Sequence, residues 1–79
     1  MRVESITPAI KVMFNNDFEY ISFGDSIKVV DCAGRVFIGL FLYMKLGRSE
    51  QEEDSLVMDF GNEYILIKCS EIIFIEKLN

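Results

Sequence analysis

A chain of 79 residues, 51% of them apolar, has room for one domain with one modest core and is too hydrophobic for disorder. Its 13 acidic and 8 basic side chains leave a net charge of −5, which disfavours non-specific attachment of the whole chain to nucleic acid or anionic membrane. There is no histidine, so the commonest general base and the commonest metal ligand are both missing.

The first residues carry no apolar run of signal-peptide length, and no stretch approaches the ~20 apolar residues of a membrane span. The expectation is a soluble cytoplasmic protein. Thr7-Pro8 has the form of a helix start, with Thr as N-cap and Pro at the first helical position. Ile6, Ala9, Ile10, Met13 and Phe14 then share one helical face, which predicts a short N-terminal helix. The alternative is a strand over residues 10–14 that turns at Asn15-Asn16-Asp17 into a second strand over 18–21.

Gly24-Asp25 punctuates the chain before a β-branched run over residues 26–32. Ala33-Gly34 makes the following turn, with Gly34 supplying a positive φ. A longer run over 35–44 has Gly39 inside it, the mark of a strand that bends sharply. Residues 45–54 are polar and read as a solvated loop. Strands are predicted at 55–60, 64–69 and 72–77, separated by the turn Gly61-Asn62-Glu63 and the break Ser70-Glu71. Five short strands joined mostly by tight turns predict a small all-β barrel.

The last two strands do not alternate. Tyr64-Ile65-Leu66-Ile67 and Ile72-Ile73-Phe74-Ile75 are continuous apolar runs. A barrel this small has one interior, so alternate residues of each strand face outward and need cover. A second copy of the chain, paired edge to edge, is the expected cover, with Tyr64, Leu66, Ile72 and Phe74 at the interface. The N-terminal segment of the same chain is the competing cover.

Catalytic chemistry is not visible. Gly34 and Gly39 have a spacing like that of a phosphate-binding loop, but Leu40 stands where lysine is needed. Glu50, Glu52, Glu53 and Asp54 lack the spacing and the turn glycine of a calcium loop. Cys32 and Cys69 form no C-x-x-C pair and read as free thiols. No cofactor, metal or small-molecule substrate is expected, and the chain does not read as an enzyme.

Residues 34–42, Gly-Arg-Val-Phe-Ile-Gly-Leu-Phe-Leu, resemble the first signature of the Sm-like proteins, which bind RNA as rings. Residues 65–75 are similar to their second signature, in which an apolar triplet precedes a basic-glycine pair, two polar residues and a final apolar strand. The resemblance covers roughly residues 24–77. It implies a single domain over residues 1–79: an N-terminal helix or hairpin segment at 1–23 and, at 24–77, a strongly bent five-stranded Sm-like (Src-homology-3-like) barrel. It also implies a homo-oligomeric ring closed by pairing the fourth strand of one copy with the fifth of the next. The departures fall where the family touches RNA. Lys45 stands at an aspartate position, Gly47 at a base-stacking position, Ser49 at an asparagine, Lys68 at an arginine and Cys69 at a glycine. Lys68 keeps the charge but not the flat guanidinium. Lys45, Arg48 and Lys68 would line the pore, with Tyr43 as an exposed aromatic, and single-stranded RNA is the implied ligand. A protein-interaction module on the same barrel, without nucleic acid, is the alternative.

Overall fold

The computed structural model describes residues 2–79 and is built entirely on antiparallel strands apart from one 3-10 turn. The elements are β1 (Ala9–Phe14), β2 (Asp17–Ser22), β3 (Ser26–Asp31), β4 (Val36–Lys45), β5 (Ser55–Asp59), β6 (Tyr64–Lys68), the turn Cys69–Glu71 and β7 (Ile72–Lys77). β1 and β2 form a two-stranded sheet. The other strands form a five-stranded sheet in the order β6-β5-β4-β3-β7.

The predicted N-terminal helix is not formed; that segment is the β1–β2 hairpin. The residues that share a helical face satisfy a two-residue period as well. Ile10 and Val12 point inward, while Lys11 and Met13 point out. The turn decides between the two. Asn15 and Asn16 take φ of 48° and 68°, the double left-handed geometry of a two-residue hairpin turn, which asparagine tolerates better than most residues. Phe14 then faces Asp17, and the register runs to Ala9 opposite Ser22.

The predicted barrel is not closed either. β5 pairs with β6 and β3 with β7, but β6 and β7 do not pair with each other. Between them the 3-10 turn Cys69–Glu71 redirects the chain, and the Cys32 N–H donates to the Glu71 carbonyl at 2.8 Å, which brings β7 to the β3 side. The sheet is nonetheless curled. Ile27 and Val29 of β3, Phe41 of β4, Leu56 and Met58 of β5 and Ile67 of β6 share one core, and Ile72 and Ile75 of β7 pack against it. The hairpin adds Ile21, 1% exposed, together with Ile10 and Val12. Apolar burial of this kind is the main driving force for the fold.

Two features shape the curl. At Gly39 a side chain would collide with the Asp59 carbonyl oxygen, so β4 and β5 approach closely only because this residue is glycine. Past it, the register of β4 on β5 slips between Phe41 and Tyr43, a β-bulge. The β3–β4 connection is fixed by Asp31, 1% exposed. Its Oδ1 accepts from the N–H groups of Ala33 (3.0 Å) and Arg35 (2.8 Å), and its Oδ2 from Arg35 Nε (2.6 Å). Desolvation raises the Asp31 pKa, but the Arg35 main-chain and side-chain donors and charge outweigh it and hold the carboxyl below its ordinary value.

Candidate nucleic-acid interface

The bulge determines which side chains share the outer face. Before it, Phe37 and Phe41 of β4 face the core and Val36, Ile38 and Leu40 face out. After it the parity is reversed: Met44 packs on the core, and Tyr43 and Lys45 are exposed. Without the extra residue, Tyr43 and Lys45 would point inward.

Their neighbours follow from the register. Lys45 lies opposite Ser55, and Ser55 opposite Lys68, so two lysines flank a serine across three strands. Their backbones are about 10 Å apart at the usual strand spacing. One step along the same face, Tyr43 lies opposite Val57 and Val57 opposite Leu66. Val57 is only 2% exposed, while Tyr43 and Leu66 on either side of it are exposed. The face therefore carries a polar, cationic row beside an apolar row ending in a tyrosine.

The 45–54 loop borders the lysine row. Gly47 donates its N–H to Asp54 Oδ1 (2.8 Å), and Arg48 its N–H to Glu52 Oε2 (3.0 Å). A side chain at Gly47 would run into the Glu52 carbonyl, so this tight loop also requires glycine. A shallow cavity of about 280 Å³ lies between Lys45, Gly47, Gln51, Glu52, Ser55 and Lys68. Arg48 is exposed but does not line it. The structure thus brings Tyr43, Lys45 and Lys68 together on one face and leaves Arg48 on the loop beside it. Cys69, next in chain to Lys68, has its thiol pKa raised by burial and by the Asp54 and Glu53 carboxylates, so it is a poor nucleophile.

The residues expected at a subunit interface divide. Tyr64, Leu66 and Phe74 are exposed, on the edge strands β6 and β7. Ile72 instead turns toward the core. Ser55 and Val57 were not legible as parts of this face. Their place opposite Lys45 and Tyr43 depends on the β4 bulge, and no residue in 41–43 marks one. Among the described residues, no three His, Cys, Asp or Glu side chains gather as a metal site. No helix there is long and apolar enough to cross a membrane.

No family model matches the chain, no curated protein is significantly similar to it, and no solved structure matches it.

Proposed function

We propose that this chain is a non-enzymatic, Sm-like module that works as an assembly of several copies and binds single-stranded RNA. The observation that carries the reading is the shared face of Tyr43, Lys45 and Lys68, created by the bulge in β4. Paired cations with an adjacent aromatic are the usual means of holding a phosphate backbone and stacking a base without strict sequence preference. One copy offers two lysines on this row, so useful affinity comes from repeating the face around an assembly. Assembly itself is supported by the exposed apolar residues on two open strand edges, β6 and β7, which are also the edges that an Sm-like ring joins.

The test is a titration of labelled single-stranded RNA at low salt, followed by fluorescence anisotropy. Lys45→Ala combined with Lys68→Ala should weaken binding by roughly tenfold or more and flatten the salt dependence. Arg48→Ala should have a smaller effect. No binding by the unsubstituted chain, or binding indifferent to loss of both lysines, would overturn the RNA reading.

A second reading has one observation in its favour. The acidic stretch 50–54 lies beside the lysine row, and the whole chain carries a charge of −5. A protein-interaction module would bind a partner through this face without RNA, and the same titration separates the two.

A further inference from the structure

Three adjoining cavities run along one side of β1. The first, about 290 Å³, is bordered by Pro8, Ala9 and Ile10 and faces Tyr43. The second, about 440 Å³, begins again at Ile10, continues through Lys11 and Val12, and faces Met44, Leu56 and Ile75. The third, about 550 Å³, takes in residues 12–15 and faces residues 72–76. Every residue from 8 to 15 borders this trough. A strand face presents alternate residues, whereas a strand edge presents consecutive ones. The trough therefore opens along the edge of β1 that β2 leaves unpaired, and its far end reaches across β1 to Glu19 of β2 and meets the unpaired edge of β7.

The ladder parity shows which backbone groups are free there. Leu78 donates its N–H to the Ser26 carbonyl, so in the same register Phe74 and Glu76 bond toward β3 while Ile75 points its amide away. In the hairpin, the two-residue turn makes Phe14 and Asp17 the first bonded pair, which leaves the Lys11 and Met13 amides aimed at the trough. Two free edges flanking an apolar channel take an extended segment by strand addition. That segment must have both of its own edges free. β6 of another copy does not, because β5 occupies one of them. Glu19 and Glu76 border the far end and favour a cation there.

Residues 2–7, Arg-Val-Glu-Ser-Ile-Thr, meet these terms. They lie outside every strand, and Val3 (67%) and Ile6 (87%) are exposed. Val3, Ile6 and Thr7 are β-branched and suit a strand, and Arg2 supplies the cation. The chain's own copy of this segment leaves β1 at Pro8, the end remote from Glu19 and Glu76. The residue before a proline favours an extended backbone, so Thr7 is unsuited to the reverse turn that folding back onto its own trough would need. We infer that the trough along β1 and β7 seats residues 2–7 of a second copy as an added strand, with Arg2 toward Glu19 and Glu76. The inference rests on the proposed assembly of several copies and not on RNA binding, and it gives the single free edge of β7 to residues 2–7 in place of a neighbour's β6.

The experiment uses the full chain carrying Val3→Pro, whose segment can no longer complete a ladder. It should sediment as a lighter species than the unsubstituted chain. A free labelled peptide of residues 2–8 should bind it saturably and slow hydrogen exchange at the Met13 and Ile75 amides. The same peptide carrying Val3→Pro should bind roughly tenfold more weakly. Failure of the peptide to bind at millimolar concentration, or binding indifferent to the proline, overturns the inference. Protection of Met13 and Ile75 in an unsubstituted chain that sediments as a monomer also overturns it, since the segment would then act on its own copy. If the peptide fails while both full chains stay oligomeric, the segment is not the link and the assembly reading stands.

Discussion

The hairpin and the five-stranded sheet are both antiparallel, yet they are held together by different means. In the sheet every strand is joined to a neighbour by a backbone ladder, and its turns are fixed by side chains such as Asp31. The hairpin shares no ladder with that sheet. It is joined by Ile10, Val12 and Ile21 in the core, and by the junction where Gly24 donates to the Phe41 carbonyl (2.8 Å) and Phe41 to the Asp25 carbonyl (2.9 Å). An isolated two-stranded ribbon is marginal in water. The hairpin therefore depends on side-chain burial for its place, while the sheet depends on backbone register and bends.

Ile21→Ala tests the hairpin's half of this contrast most severely. Deleting that buried side chain should cost about 3 kcal/mol in urea unfolding. Hydrogen exchange should then quicken in β1 and β2 before it does in β3 and β4. Uniform quickening through both sheets would show that they form a single cooperative unit. Gly39→Ala probes the other half, since it adds one methyl group against the Asp59 carbonyl. It should cost about 2 kcal/mol, with the increased exchange centred on β4 and β5 rather than on the hairpin.

The smallest effect comes from Asp31→Asn, which should lower the melting temperature by roughly 5 °C at neutral pH. The Asp31 pKa is lower in the folded chain than in the unfolded one, so its stabilising contribution is complete above about pH 4 and is lost as the pH falls through the folded value. The gap between Asp31→Asn and the unsubstituted chain should accordingly narrow on acidification. Asp25 at the hairpin junction is also lowered, first by the Ser22 N–H on its carboxylate, then by Asn79 and Lys77. It is present in both proteins, so its acid sensitivity remains in both melts.

Residues 26–77 were largely legible in sequence because their signals are local. Gly34 and Gly61 sit at positive φ in the turns expected of them, and the apolar runs fall where β3 to β7 form. Residues 9–22 were less so, because Ile10, Met13 and Phe14 fit a helical period while Ile10 and Val12 fit a strand period, and only the backbone of Asn15-Asn16 separates the two. The candidate face was half legible. Lys45, Lys68 and Tyr43 could be singled out by residue type, but their common direction depends on a register slip that has no side-chain signature. Strand closure was not legible at all, because it depends on where the turn after Lys68 sends β7.

The placement of β7 also has a kinetic consequence. β3, β4, β5 and β6 pair each with the next in sequence, so contacts across short loops can build that meander quickly. The pairing of Ile27 with Lys77 instead spans most of the chain, and its loop-closure entropy must be met before the contact gives anything back. During synthesis the flank of β3 therefore stays vacant until β7 has left the ribosome. In that interval a nascent chain is most exposed to adopting a strand that belongs to its neighbour.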